Sequence, residues 1–136
     1  MSVIYDDIRE ALDSALAGLS GLPEVFFRNA PEEDSTPTPY LSTRIFFTSR
    51  RPATRGPNPQ HRYEGIYRII ICVPKRSGTG QALRYAEILT QAFDGSTDID
   101  GATKTVSIDF TELASDFEQD PYWCIPVDVN WYIYDR

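Results

Sequence analysis

The run Arg62-Tyr63-Glu64-Gly65-Ile66-Tyr67-Arg68-Ile69-Ile70-Ile71-Cys72-Val73 is dense in β-branched and aromatic side chains and is followed by Pro74. That is the composition of a strand closed by a residue that cannot donate to a sheet. A second such run covers 40–48, and the stretch between them, 49–61, carries Pro52, Gly56, Pro57 and Pro59. The two runs predict a long hairpin with an extended basic loop, 49–62, as an arm at its tip. Gly65, inside the second strand, marks a bulge or a close backbone approach.

Upstream, Ile4, Tyr5, Ile8, Ala11, Leu12, Ala15, Leu16 and Leu19 recur at helical spacing opposite Asp6, Asp7, Arg9, Glu10 and Asp13. This predicts an amphipathic first helix ending near residue 19, with acids at its positive end. A short strand is expected at 25–28, then a proline-bearing polar loop at 29–39. Downstream, Ala82, Leu83, Ala86, Leu89, Ala92 and Phe93 define a second helix, stopped by Gly95. Val106, Ile108 and Phe110 alternate in one further strand, and Ile125, Val127, Val129, Trp131 and Ile133 alternate in another. An acidic loop separates them. The order predicts one α+β domain over residues 1–136, a mainly antiparallel sheet with two helices packed on one face.

The formal net charge is −7, which argues against a general nucleic-acid coat and against attachment to anionic lipid. The charge is unevenly spread. Residues 35–63 hold Arg44, Arg50, Arg51, Arg55 and Arg62 and no acid, whereas 98–128 hold eight acids against Lys104 alone. The acids near the N-terminus interrupt the apolar region a signal peptide needs, and the longest apolar run, 69–73, falls far short of the about 20 residues that span a bilayer. A soluble protein that stays where it is made is expected. Cys72 and Cys124 lie 52 residues apart in strand-like runs, which reads as reduced, buried thiols and not as a metal or disulfide framework.

Little in the chain suggests catalysis. The single histidine, His61, falls in the proline-rich arm, a poor place for a rigid site. The turn Lys75-Arg76-Ser77-Gly78-Thr79-Gly80 sits between a strand and a helix, where backbone amides can hold phosphate, but Gln81-Ala82 follow where Lys-Ser or Lys-Thr would be needed. Helix capping by Ser77 or Thr79 is the simpler use. Asp116, Glu118 and Asp120 alternate, but Pro121-Tyr122 replace the glycine of a calcium loop. They read as a solvated patch or docking surface. The arm's arginines lack hydrophobic anchors, so the arm is expected to be mobile when free and to order against an acidic protein surface in preference to nucleic acid. The expected interface set is therefore Arg50, Arg51, Arg55, Arg62, Asp116, Glu118 and Asp120, with no catalytic residue, metal or cofactor. The chain reads as an assembly subunit and not an enzyme.

A larger pattern joins these pieces: the N-terminal helix, Val25-Phe26-Phe27-Arg28-Asn29, Pro39-Tyr40-Leu41, Tyr63-Glu64-Gly65-Ile66-Tyr67, and Ile71-Cys72-Val73-Pro74 with Gly78 and Gly80. Ala86-Glu87-Ile88-Leu89, Ala92-Phe93, Tyr122-Trp123-Cys124-Ile125-Pro126-Val127 and the Trp131 strand follow in order. In this succession the chain resembles the tail terminator, or tail completion, family of long-tailed bacteriophages. The resemblance implies an α+β subunit of a hexameric ring that caps the tail tube, halts polymerisation of the major tail tube protein and offers the surface for head joining. DNA would pass through the lumen without specific binding. It also implies a virion protein at the neck end of the tail, assembled in the host cytoplasm without a membrane. The end at Tyr134-Asp135-Arg136, straight after the last strand, leaves no further domain expected. Two other readings stand beside it: a head-to-tail connector or stopper subunit of the neck, and a nucleic-acid-binding or phosphate-handling enzyme using Lys75 and Arg76.

Overall fold

The computed structural model describes residues 4–27, 38–57, 59–77, 79–93, 98–100 and 105–135. The elements run α1 (Ile4–Ala17), β1 (Glu24–Phe27), β2 (Tyr40–Pro52), β3 (His61–Pro74), a 3-10 turn (Lys75–Ser77), α2 (Thr79–Ala92), β4 (Asp98–Asp100), β5 (Thr105–Leu113), β6 (Phe117–Gln119) and β7 (Tyr122–Asp135). This is an α+β architecture. The expected loop at 29–39 and the stop at Gly95 lie wholly or largely outside the described residues.

The sheet order is β1-β2-β3-β7-β5-β4, with β6 also on β7. It is a mixed sheet: β1 pairs parallel with β2, and the other pairings are antiparallel. The centre is the β3–β7 ladder, continuous from His61↔Asp135 to Pro74↔Tyr122. Strand alternation sends Tyr63, Tyr67, Ile69, Ile71 and Val73 to one side with Ile125, Val127, Val129, Trp131 and Ile133. These form the core with Ile8, Leu12 and Leu16 of α1 and Ala82, Ala86 and Leu89 of α2. Both helices therefore cover the same face of the sheet.

Helix α1 forms because its apolar stripe has this face to bury and its polar side is internally paired. Arg9 bonds Asp6 at 2.7 Å and Asp13 at 2.9 Å, three and four residues away. Asp13 also accepts a 2.5 Å hydrogen bond from Tyr67 Oη, tying the helix to β3. Burial first, and then this bond, raise the Tyr67 phenol above the ordinary tyrosine range.

The β2–β3 hairpin differs from the expected one. Arg50, Arg51 and Pro52 belong to β2, paired with Tyr63, Arg62 and His61, so the loop expected over 49–62 shrinks to a turn over 53–60. That turn is closed by Ala53 N and Thr54 N donating to the Gln60 carbonyl at 2.6 and 3.3 Å, while Gln60 N donates to Thr54 Oγ1 at 2.7 Å. Cross-strand side-chain partners explain the extension. Arg50 Nε donates to Tyr63 Oη at 2.8 Å, and Arg51 bonds Glu64 at 3.1 Å. The ladder register shifts between Phe47 and Ser49, leaving Thr48 as the extra residue opposite Gly65 and Glu64. Thr48 Oγ1 donates to the Glu64 carbonyl at 3.1 Å.

The cysteines, far apart in sequence, are direct cross-strand neighbours on the helix-free face. Both are free and buried, beside Tyr40.

Candidate assembly surfaces

The long strands carry unlike groups to the two ends of the molecule. From His61↔Asp135 to Pro74↔Tyr122 the ladder runs for 14 residue pairs, roughly 45 Å at about 3.4 Å per residue. Arg50, Arg51, Arg55 and Arg62 gather at the hairpin end. There Arg62 bonds Glu64 at 3.2 Å and Tyr134 Oη at 2.9 Å and lies 4.2 Å from the centre of the Tyr132 ring. Arg55 is exposed in the turn. Arg50, Arg51 and Arg62 sit on the paired ladder and Arg55 in its turn, whereas an extended loop over 49–62 was expected.

Asp116, Glu118 and Asp120 lie at the other end, and the acidic loop expected there contains the edge strand β6. Its three residues pair Tyr122, Trp123 and Cys124 of β7. Much of the negative charge is spoken for: Asp116 accepts from Trp123 Nε1 at 2.8 Å, and Lys75 bonds Asp120 and, at 3.2 Å, Glu118. Asp120 and then Glu118 hold the Lys75 ammonium above its ordinary range. A phosphate at the Lys75–Ser77 turn would thus have to displace two carboxylates. That removes the main cation from the phosphate-handling reading. Among the described residues no cluster of three or more His, Cys, Asp or Glu could hold a metal ion, and no helix is long and apolar enough to cross a membrane.

Three surfaces went unread in the sequence. The first is the helix-free face, where Arg68 and Asp128 form a bidentate pair at 2.7 and 3.0 Å with Asp128 only 5% exposed. Phe46, Phe110, Phe117 and Tyr134 stay exposed around it. The second is the outer edge of β2. β1 pairs only Tyr40, Leu41, Ser42 and Thr43, and beyond them a groove of about 520 Å³ opens between α1 and β2, lined by residues including Tyr5, Arg44, Ile45 and Phe47. The third is the outer edge of β5, where β4 pairs only Thr105, Val106 and Ser107. Exposed Phe110, Leu113, Asp109 and Glu112 lie beyond. The spacing of Val106, Ile108 and Phe110 implied one shared side, but the register shift between Ile108 and Phe110 turns Phe110 to the helix-free face, away from buried Val106 and Ile108.

Residues 7–131 match the family described as phage tail terminator protein. The chain belongs to that family. This terminator-family protein is accordingly a bacteriophage structural protein of the virion tail, in a family that works with other tail components and is not known for enzymatic activity. No curated protein matches the chain. One solved structure aligns with 98% of this chain and 96% of its own, with TM-score 0.70 and 19% identity, a likeness that concerns the fold alone.

Proposed function

We propose that this terminator-family protein forms a ring, a hexamer, that caps the tail tube, stops addition of the major tail tube protein and offers its far side to the connector or stopper protein for head joining. The observation that carries the reading is the separation of unlike groups along the long strands, arginines at the hairpin end and the Asp116, Glu118 and Asp120 cluster with Lys75 at the other. Copies arranged with their strands along a common axis would present two chemically different faces. A ring between two different partners needs that. The net charge of −7 suits a lumen through which DNA slides without being held. Assembly would take place in the host cytoplasm, with the finished ring at the neck end of the tail.

Electron microscopy of the purified protein mixed with tube protein tests this. Tubes should be capped and of fixed length, with a ring at one end. Uncontrolled tube growth in its presence would overturn the reading, and finding the protein on tailless heads but not on free tails would make it a neck connector instead.

A further inference from the structure

We propose that neighbouring copies join by strand addition, the outer edge of β2 in one copy (44–47) pairing antiparallel with the outer edge of β5 in the next (108–112). The proposal rests on the ring reading above and names its lateral contact.

Both edges have backbone groups to offer. Among the described residues, no strand covers β2 outward of Thr43 or β5 outward of Ser107. An uncovered strand edge is a template for another strand. Strand direction then decides how copies fit. β2 runs against β3, β3 against β7, and β7 against β5, so β2 and β5 run oppositely. Copies related by rotation about an axis along the strands would therefore bring β5 beside β2 in antiparallel fashion. The heights also agree. Through the ladders, 44–47 of β2 and 108–112 of β5 both stand level with 128–131 of β7, which puts Arg44 level with Glu112 and Phe46 level with Phe110.

Side chains favour this pairing over any symmetric one. At the shared height the β2 edge carries Arg44, with Arg50 and Arg51 farther toward the hairpin tip, whereas the β5 edge carries Asp109 and Glu112. Neither Asp109 nor Glu112 forms an ion pair with a described residue. Joining β2 to β2 would oppose arginines and joining β5 to β5 would oppose carboxylates, so only the unlike pairing is electrostatically complementary. The apolar residues match in the same sense. Phe46 and Phe110 both point to the helix-free side, Phe47 and Leu113 both to the helix side, and all four are 40% exposed or more. Phe110 stands level with Phe46, and Leu113 stands level with Thr43 at the near end of the groove. A contact between two different edges is heterologous, and repeated by rotation it closes a ring.

The test uses two variants of the full chain, one blocked at β2 (Arg44→Glu with Phe46→Glu) and one at β5 (Phe110→Glu with Leu113→Glu), so that the two altered edges repel each other. Each alone should sediment as a monomer with an unchanged circular dichroism spectrum, and an equimolar mixture should give a dimer and nothing larger. That asymmetric rescue follows only if the two edges are halves of one contact. Rings persisting in both variants would overturn the edge pairing while leaving the ring reading standing. An unmodified protein that stays monomeric alone and beside tail tubes would overturn both. If a double variant misfolds, Arg44→Glu and Glu112→Arg singly should each weaken ring formation at least about tenfold and, combined in one chain, restore part of it. No restoration in the combined variant would overturn the pairing.

Discussion

Gly65 of β3 lies directly opposite Trp131 of β7, so close that a Cβ on the glycine would stand 2.6 Å from the indole ring and 2.0 Å from the Phe46 carbonyl oxygen. Backbone and a fully buried ring close the space together, and neither can swing away. Gly65→Ala should therefore cost about 3 kcal/mol, the upper range for overpacking. Gly18→Ala, whose Cβ would meet only ordinary contacts at 3.6 Å, should change stability by no more than about 0.5 kcal/mol. Urea denaturation of both variants decides it, and equal losses would show that the packing around Trp131 is soft.

The Arg68–Asp128 pair gives a second prediction. Arg68→Ala leaves the Asp128 carboxylate, 5% exposed, without its bidentate partner, at a cost of about 2 kcal/mol after allowing for the partial exposure of the arginine. Adding Asp128→Leu to Arg68→Met should recover most of it, since no orphaned charge remains. A thermal melt in which the double substitution is the worse variant would contradict this.

Stability should fall in alkali. Burial raises Tyr67, with its bond to Asp13, and Tyr40, with its bond to Cys72, above the ordinary value of 10.0. For an acid raised in the folded state, the stabilisation is complete below the unfolded pKa and is lost as pH rises beyond it, because the unfolded phenol then ionises and the folded one does not. Each tyrosine should contribute a slope of about 1.4 kcal/mol per pH unit above about pH 10. Urea midpoints between pH 8 and 11.5 measure it. Tyr67→Phe should be less stable at pH 8 but shallower above pH 10, and an unchanged slope would refute the assignment.

Replacing Arg50, Arg51 and Arg55 with alanine should leave the fold nearly intact, since exposed pairs such as Arg51–Glu64 at 3.1 Å contribute at most about 1 kcal/mol. Assembly with partners should weaken, and the difference from the unaltered protein should shrink as salt is raised. Capped-tube counts at two ionic strengths are the readout. Identical counts for both proteins at low salt would mean that the hairpin end touches no partner.

The sequence carried the fold where burial is one-sided. Alternation of Val127, Val129, Trp131 and Ile133, and the helical stripe of Ile8, Leu12 and Leu16, both report a single core face. Gly65 was legible as a close approach because only a missing side chain could serve there. The strands that failed to show are the three-residue β4 and β6, too short for any period to register. The hairpin tip misled because Pro52, Pro57 and Pro59 signal loop, while the cross-strand pairs of Arg50 and Arg51 that keep the chain in register are set by residues ten or more positions away. For the same reason no local pattern discloses that Lys75 meets Glu118 and Asp120, or that Cys72 faces Cys124.

The single extra residue at Thr48 sets the parity of everything beyond it. With it, Arg51 shares a side with Arg62 and Glu64, and Arg50 shares a side with Tyr63; deleting it would exchange the two arginines between faces. The turn over 53–60 can therefore drift in length without altering which arginine looks which way, whereas one codon gained or lost between Phe47 and Ser49 would invert the pattern while the rest of the chain stayed as it is.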